Sequence, residues 1–330
     1  MDFIEFTAGL DDNERRLDKV LRNFIKNTQL SSIYKYIRKN LIRVNDKKVS
    51  QDYHVKTGDV ISIASFIINQ NQEKSTDLQT TLQATSQNQN LNIILQTEDL
   101  LFINKPYDVL VHGSKDSLDK QVLTYYKTNI LKNANQSLSF TPGPLHRLDK
   151  KTTGILAFSL SLNGARWFSE NIKNHSIKKF YLSVIQGKLN NKTIWEDFIE
   201  KDENQKSKNF HTVNASTNKT ESKNQKNAIT IVEPIKYGSF KNIEITLVKI
   251  EIKTGRTHQI RAQAALHNHP LLGDTAYNGI KIDQNQDFFL HAQTLILPKN
   301  NLYNLNNNKM GQIIEAHLPK NFENFISDYF

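Results

Sequence analysis

A polar stretch of low complexity divides the 330-residue chain into two unequal parts. Residues 69–90, NQNQEKSTDLQTTLQATSQNQN, contain no aromatic residue and few large apolar ones. Such a composition buries too little apolar surface to offset the entropy that is lost on ordering, so we predict a linker. It separates a small N-terminal domain over residues 1–68 from a larger domain over residues 91–330, and two domains are typical of this length.

A second polar stretch, residues 201–227, also has few apolar residues, but it lies between strand-like segments. Because of that position, we predict a long loop within the larger domain rather than another boundary. Strand patterns in the larger domain lie at residues 92–104, 154–162, 180–186, 229–236 and 243–253.

The small domain begins with two amphipathic patterns of helical period. Residues 15–26 and 31–45 repeat apolar side chains at intervals of three and four, with basic side chains on the other face. Ser31 and Ser32 are predicted to cap the second helix. Short strand-like pieces follow at residues 42–49 and 59–66.

Basic side chains are concentrated in this small domain. The chain carries 43 Lys and Arg against 33 Asp and Glu, a net charge of +10, with a pI near 9.4. Composition alone leaves nucleic acid, acidic lipid or no anionic partner open. Residues 15–48, however, hold eleven basic residues and only two acidic ones, which favours a phosphate-binding surface. The candidate RNA contacts are Arg15, Arg16, Lys19, Arg22, Lys35, Arg38, Lys39 and Arg43.

The strings RLDKVLRNF, IRKNLIRVNDKKV and VKTGDVISI follow one another within residues 15–65. Together they resemble the α-L RNA-binding domain of a small-subunit ribosomal protein and of several RNA-modifying enzymes. The resemblance implies docking on the RNA backbone, which contributes affinity and register rather than base identity.

Several classes of protein are excluded by what the chain lacks. It contains no cysteine, which excludes disulfides, thiolate-bound zinc, iron–sulfur clusters and a cysteine nucleophile. The start, MDFIEFTAGLDD, has neither the basic region nor the apolar core of a signal peptide. The longest apolar runs are too short to span a bilayer. We therefore expect a cytoplasmic protein with no membrane partner.

Five short strings in the larger domain combine turn residues with polar side chains. They are FINKP (102–106), HRLDKKTTG (146–154), KKFYLSVIQG (178–187), KTGRTHQIR (253–261) and HPLLGD (269–274). Arg147, Arg256 and Arg261 lie in these strings, although the chain otherwise prefers lysine. The choice of arginine favours roles that need a planar guanidinium group, which can form bidentate hydrogen bonds. From the residues alone, it stays open whether Asp149 only caps a turn and whether Tyr181 is only a packing residue.

In this order, over about 180 residues, the strings resemble the RluA-type pseudouridine synthases. The RluC- and RluD-like members, which act on large-subunit ribosomal RNA, also carry an α-L domain in front. The resemblance implies an α+β fold, with a mixed, mainly antiparallel sheet crossed by the active cleft. It implies an isomerase, an intramolecular transferase that converts uridine to pseudouridine at specific sites in large-subunit (23S) ribosomal RNA.

The roles of individual residues follow from the resemblance. The reaction breaks the glycosidic bond, turns the held base and rejoins it through a ring carbon, so no cofactor or metal is expected. Asp149 is implied to act covalently or by charge stabilisation and proton abstraction. Arg261 is implied to orient that carboxylate, and Tyr181 to stack on the detached uracil.

Three further residues are implied to contact RNA or support the site. Arg147 is expected to enter the RNA as the target nucleotide flips out, because a stacked base is out of reach. Arg256 is expected to contact a phosphate or to support the site. His146 is expected to be a structural neighbour of Asp149 within the substrate-binding region rather than a general base.

Other functions remain open at this point. Transfer RNA is an alternative substrate, and a non-catalytic RNA-binding ribosome-assembly factor is an alternative of a different class. A nucleoside hydrolase would need a second carboxylate, and no partner for Asp149 stands out. His258, His267 and His269 lack the spacing of a metal motif, so no metal site is predicted. The sequence does not indicate the oligomeric state.

Overall fold

The computed structural model describes residues 1–25, 28–73, 91–130, 137–201, 213–218, 224–282, 286–298 and 312–330. Most of the predicted linker, residues 74–90, lies outside the described residues, as do residues 202–212 and 219–223 of the predicted loop.

Residues 1–73 form a small body with its own apolar core. Its elements are β1 (Phe3–Thr7), β2 (Arg15–Arg16), α1 (Leu17–Phe24), α2 (Leu30–Arg38), β3 (Ile42–Val44), β4 (His54–Val55), β5 (Val60–Ala64) and α3 (Ser65–Glu73). Strands β1, β5 and β3 form one antiparallel sheet, and β2 pairs with β4. Leu17 and Leu21 on α1, together with Ile33 and Ile37 on α2, are buried in this core at helical spacing. Helix α3 crosses residue 68, and the predicted domain boundaries stay a prediction.

Two details of the helix predictions are wrong. Arg15 and Arg16 lie on β2, so α1 begins one residue after them. Gln29 is the N-cap of α2, so Ser31 and Ser32 lie inside the first turn rather than capping it. An apolar pattern marks the buried face of a helix, whereas the first residue depends on backbone pairing that the pattern does not contain.

A single eleven-stranded sheet lies at the centre of the larger body. Its strands are β6 (Ile93–Gln96), β7 (Leu100–Lys105), β8 (Gly143–Pro144), β9 (Thr153–Ser159), β10 (Lys178–Gln186), β11 (Thr193–Lys201), β12 (Val213–Ser216), β13 (Lys226–Phe240), β14 (Ile243–Ile252), β15 (Leu290–Ile296) and β16 (Ile313–Glu315). The order across it is β12-β11-β13-β14-β10-β15-β9-β7-β6, with β16 beside β15 and β8 beside β9. Only β9 and β15 pair in parallel among the described strands. The predicted α+β class, with a mixed and mainly antiparallel sheet, is confirmed.

Apolar side chains cover both faces of the sheet. On β9, Leu156 and Phe158 belong to one buried cluster, whereas Ile155 and Ala157 belong to another. Adjacent residues of a strand point to opposite faces, so this alternation places a core on each side. The helices that pack against the body are α4 (Leu118–Tyr125), α5 (Leu162–Lys173), α6 (Gln259–Leu266) and α7 (Lys320–Tyr329).

All five predicted strand patterns of the larger body correspond to strands, but the predicted loop over residues 201–227 is wrong at both ends and at one segment inside it. Strand β11 extends to Lys201, and β13 begins at Lys226. Residues Val213–Ser216 form β12, which pairs with β11 at the edge of the sheet. A short edge strand with polar neighbours contributes little apolar pattern, so periodicity does not reveal it.

Acidic side chains of the small body dock it on the larger one. The buried carboxylate of Asp12 accepts hydrogen bonds from the backbone N–H groups of Leu138 at 2.8 Å and Ser139 at 3.1 Å. Leu138 also packs against the apolar core of the small body. The Asp11 carboxylate accepts a hydrogen bond from the N–H of Leu162, at the start of α5, at 2.8 Å. Within the described residues, no helix has the length and apolar character needed to cross a membrane.

Candidate active site

A cleft of about 770 Å³ opens where the loop between β8 and β9, strand β10 and the turn between β14 and α6 meet. Its volume lies in the range that small ligands occupy. The predicted site residues that line it are His146, Arg147, Asp149, Tyr181, Arg256 and Arg261. The fold therefore brings together all six site residues that the sequence predicts in the larger body, although Asp149 and Arg261 are 112 positions apart.

Arg261 lies at the centre of an ion-pair network. Its Nη1 donates to Asp149 Oδ2 at 3.3 Å, while Nε and Nη2 donate to the two carboxylate oxygens of Asp274 at 2.6 and 2.8 Å. The Asp274 side chain is 2% exposed, whereas that of Asp149 is 26% exposed. The bidentate pair fixes the guanidinium, which in turn holds Asp149 at the cleft surface. Burial opposes the effect, yet the bonds to Asp274 raise the pKa of Arg261, so the guanidinium stays charged.

Two aromatic rings enclose the same guanidinium. Its central carbon lies 4.9 Å from the centre of the Tyr277 ring and 4.6 Å from that of Phe288. A desolvated cation over a ring face gains roughly 2 kcal/mol per contact. The rings therefore restrict Arg261 to one orientation and keep water away from its pair with Asp274.

Gln259 fixes the turn that carries Arg256. The side-chain oxygen of Gln259 accepts hydrogen bonds from the Thr254 hydroxyl at 2.8 Å and from the Arg256 N–H at 3.0 Å. Its amide donates to the Thr230 hydroxyl on β13 at 2.9 Å. The Nε of Arg256 donates to the carbonyl of Asn227 at 3.0 Å, which directs this exposed side chain along the rim of the cleft.

His258 is a second neighbour of Asp149 that the sequence reasoning missed. Its Nε2 lies 3.7 Å from Asp149 Oδ1, and its Nδ1 lies 3.0 Å from the Tyr277 hydroxyl. Burial lowers the pKa of His258, with the charge of Asp149 opposing and that of Arg261 adding to the effect, so the imidazole is neutral at pH 7. If the Tyr277 hydroxyl donates to Nδ1, the ring proton lies on Nε2 and faces Asp149.

Tyr181, on β10, is buried and at the same time lines the cleft, and its role toward the base stays a prediction. Its side chain is buried in the main apolar cluster beside residues such as Leu148 and Ile250, and its ring also lines the cleft. Burial, together with the charge of Asp149, raises the pKa of the Tyr181 hydroxyl, which stays protonated. The ring is therefore rigidly held where a planar base could stack against it.

Lys105, from the FINKP string, supports the loop that carries Asp149. Its side chain is fully buried, and its Nζ donates to the carbonyls of Lys150 at 2.7 Å, Thr152 at 2.8 Å and Pro106 at 2.9 Å. Burial lowers the pKa of Lys105 to about 7, and the charge of Asp149 opposes that shift. The lysine thus connects the end of β7 to the residues that immediately follow Asp149.

His146 and Arg147 differ sharply, although they are adjacent. His146 Nε2 accepts a hydrogen bond from the Ala157 N–H at 3.2 Å, and its ring stacks on Phe168 with centres 6.0 Å apart. Burial and the nearby charge of Lys179 lower the pKa of His146 to about 3, so the ring is a neutral acceptor. Arg147, in contrast, is exposed at the edge of the cleft.

The eight basic candidates of the small body fall into two groups. Three are half-buried and bonded within the protein: Arg15 donates to the Ser139 hydroxyl, Arg16 pairs with Asp18 at 2.9 Å, and Arg43 lies over the Phe3 ring. The other five are exposed, and they are Lys19, Arg22, Lys35, Arg38 and Lys39. The exposed group is the part of the predicted RNA surface that is free to meet a ligand.

Four residues that support the site were not predicted, although each lies in one of the five strings. They are Lys105 from FINKP, His258 and Gln259 from KTGRTHQIR, and Asp274 from HPLLGD. Their polar or charged side chains within these strings indicated a possible role at the site, but the partners that they bind are known only from the fold. Within the described ranges, no three His, Asp or Glu side chains converge as a metal site requires.

The fold thus presents a cleft in which a partly exposed carboxylate is paired with a buried arginine. The family model for RNA pseudouridylate synthase matches residues 99–266, slightly more than half of the chain. The chain belongs to this family, whose members convert uridine in RNA to pseudouridine. The predicted enzyme activity is thereby confirmed.

Relatives match beyond the family region. A protein named ribosomal large subunit pseudouridine synthase C, from Buchnera aphidicola subsp. Acyrthosiphon pisum, is 28% identical over 324 residues, which cover 95% of this chain and 93% of the relative. The protein of the same name from Buchnera aphidicola subsp. Baizongia pistaciae is 30% identical over 85% of this chain and 82% of the relative.

Solved structures show the same fold. The structure of human RNA Pseudouridylate Synthase Domain Containing 4 is 20% identical, has a TM-score of 0.55, and covers 77% of this chain and 98% of its own. The structure of human RNA Pseudouridylate Synthase Domain Containing 1 has a TM-score of 0.54 at 23% identity and covers 71% of this chain and 84% of its own.

Proposed function

We propose that this enzyme isomerises uridine to pseudouridine in large-subunit (23S) ribosomal RNA, with Asp149 as the catalytic residue. The observation that carries the proposal is the carboxylate of Asp149, held at the cleft surface by Arg261, which is itself fixed by Asp274. The names of the relatives, which cover most of the chain, support ribosomal RNA as the substrate.

The chemistry assigned to each residue follows from its position. Asp149 acts on the ribose side of the glycosidic bond, either by forming a covalent bond or by stabilising developing charge and taking a proton. Arg261 keeps the carboxylate oriented throughout the reaction. Tyr181 offers its ring to the detached uracil, so the base turns without leaving the cleft. The product is an isomer of the substrate, so these steps balance without a cofactor.

Access to the uridine requires that it leave the RNA stack. Arg147 is exposed beside Asp149, and we assign it the role of entering the space that the flipped nucleotide vacates. Arg256 lies on the rim and contacts the RNA backbone. The exposed cations of the small body, Lys19 and Arg22 among them, dock the surrounding RNA through its phosphates.

The alternatives are less well supported. Asp149 is the only carboxylate among the described residues that line the cleft, whereas a nucleoside hydrolase of the two-carboxylate type needs a second one for water. The residues assigned to catalysis are intact, which a non-catalytic assembly factor would not require. A cytoplasmic location stays a prediction.

The substrate class can be tested with purified protein and two transcripts free of modification, one of large-subunit ribosomal RNA and one of a transfer RNA pool. Chemical marking of pseudouridine is expected to show new sites in the ribosomal transcript alone. Asp149→Asn serves as the control and should leave both transcripts unmodified. Sites in transfer RNA alone would overturn the proposed substrate.

A further inference from the structure

The cleft extends well beyond the surroundings of Asp149. Its far end is lined by the last residues of α5, the first residues of β10 and the turn after β14, and it includes Lys173, Lys179 and Lys253. His175 links two of these segments, since its Nδ1 lies 2.9 Å from the carbonyl oxygen of Lys253. A single uracil ring fills only part of such a cleft, so the far end faces another part of the substrate.

Positive charge dominates this cleft. Among the described lining residues, six are Lys or Arg and only one, Asp149, is acidic. Lys253 pairs with Glu251, and Arg261 is used by Asp149 and Asp274. The uracil ring is neutral, so the remaining cations match a different, anionic group of the substrate.

Lys179 stands out among these cations. It lies on β10 between two neighbouring strands, with Ile252 of β14 and Leu295 of β15 as its Cα partners, so its backbone is rigidly placed. No carboxylate of the described residues lies within ion-pair distance of its ammonium, and burial lowers its pKa. The ammonium faces the turn after β14, 3.7 Å from the position that a Cβ would occupy on Gly255. A half-buried cation without a counter-ion is poorly stabilised until an anion binds.

We propose that Lys179 binds an RNA phosphate next to the target uridine, so that the far end of the cleft is a phosphodiester subsite. A flipped nucleotide brings its own backbone phosphates toward the cleft, because base and phosphate are joined through one ribose. Lys179 then clamps the backbone while the base is free to turn against Tyr181. This assignment rests on the proposed function.

The test compares three variants on a ribosomal RNA fragment that wild-type enzyme modifies. Lys179→Met removes the charge and keeps the length, Lys179→Arg keeps the charge, and Lys178→Met is the matched control on the adjacent, exposed residue outside the cleft. RNA affinity is measured at several salt concentrations in an Asp149→Asn background, and steady-state kinetics in the wild-type background.

We expect Lys179→Met to raise KM about tenfold, the order expected for one lost charge-assisted hydrogen bond, with kcat within about twofold. It should reduce the slope of log affinity against log salt by about one, the contribution of one phosphate contact. Lys179→Arg and Lys178→Met should keep the wild-type slope. An unchanged slope, or a loss of kcat at unchanged affinity, would overturn the subsite.

A second measurement changes the RNA instead of relying on the protein variant alone. RNA in which one phosphate beside the target is replaced by a neutral methylphosphonate should bind wild-type enzyme about tenfold more weakly at one of the two flanking positions. Lys179→Met should show no such loss at that position. If the wild type binds the unmodified RNA and the two RNAs with a methylphosphonate on either side of the target equally well, the subsite is contradicted. Failure of the wild type to modify any RNA would instead count against the proposed function.

Discussion

The small body and the cleft both use positive charge, but in opposite ways. In the small body, Arg22, Lys35 and Arg38 project into solvent. In the cleft, Arg261 is buried between two aromatic rings and bonded to two carboxylates. An exposed cation acts through the number of phosphates it neutralises, whereas a buried one acts through a fixed geometry.

This difference predicts how each region responds to substitution. Exposed cations contribute separately, so the loss of one weakens RNA binding by a limited amount. The loss of one partner of a buried ion pair has a large effect on stability and geometry, because it leaves the other charge unpaired in a poorly solvated site. The predictions below test that contrast, beginning with the cleft.

Asp149→Asn is expected to have the largest effect. The amide keeps the size of the side chain but supplies neither a nucleophile nor a base, so turnover should fall by about 10³-fold or more. RNA affinity should stay within about threefold, since Asp149 contributes no attraction for phosphate. Single-turnover assays and fluorescence anisotropy measure the two quantities. A parallel loss of binding would show that Asp149 is a structural residue.

Asp274→Asn tests the positioning network without touching the carboxylate that reacts. The substitution leaves the buried Arg261 without its bidentate partner, which should lower the free energy of unfolding by about 3–5 kcal/mol. Misplacement of Arg261 and Asp149 should lower turnover about 100-fold. Urea denaturation and single-turnover kinetics check both values. Wild-type stability together with wild-type turnover would show that the network does not hold the site.

A fourfold substitution tests the exposed surface. Replacement of Arg22, Lys35, Arg38 and Lys39 by Gln should weaken RNA affinity about tenfold or more and lower its salt dependence, with kcat unchanged at saturating RNA. A matched control replaces four exposed lysines of the larger body, and these are Lys120, Lys236, Lys281 and Lys320. Equal effects of the two fourfold variants would show that the RNA surface is not confined to the small body.

His146→Gln is expected to have the smallest effect, visible only in acid. The unfolded chain takes up a proton at the ordinary histidine pKa of 6.5, whereas His146 in the folded protein does so only near 3. Between these values the unfolded state binds more protons, so stability is full above pH 6.5 and falls as the pH drops toward 3. Because glutamine does not titrate, the free energy of unfolding of the variant should fall by about 1–2 kcal/mol less than that of wild type when the pH is lowered from 7 to 5.

The measurement for His146→Gln is urea denaturation of both proteins at pH 7 and pH 5, with RNA affinity at pH 7 as a control. The affinity should be unchanged if His146 only supports the loop through Ala157 and Phe168. The same pH dependence in both proteins would contradict the assignment of His146 as a half-buried neutral acceptor.

Much of the fold follows from local patterns. The apolar period of α1 and α2, the apolar run of β9 and the alternation along β10 are local properties, so the sequence predicts these elements well. The pairing of β9 with β15, in contrast, joins residues 138 positions apart through contacts such as Thr153 to His291, and no local pattern contains it. The start of α1 and the edge strand β12 were missed for the same reason.

The residues of the site likewise include some that the sequence predicts and others that only the fold reveals. Asp149, Tyr181 and Arg261 were predicted because their strings resemble a family, and the structure brings them to one cleft. Lys105 and Asp274 were not predicted, because only the fold brings each to its partner, which is 45 positions away for Lys105 and 13 positions away for Asp274. The sequence also did not show that three of the eight basic candidates, Arg15, Arg16 and Arg43, are engaged within the protein.

The most direct test of the central claim is a map of pseudouridine in ribosomal RNA from three strains. One carries the wild-type gene, one lacks it, and one expresses Asp149→Asn at the wild-type level in place of it. At least one site in large-subunit RNA should be present in the first strain and absent from the other two. An identical map in all three strains would contradict the claim that Asp149 carries uridine isomerisation in this RNA.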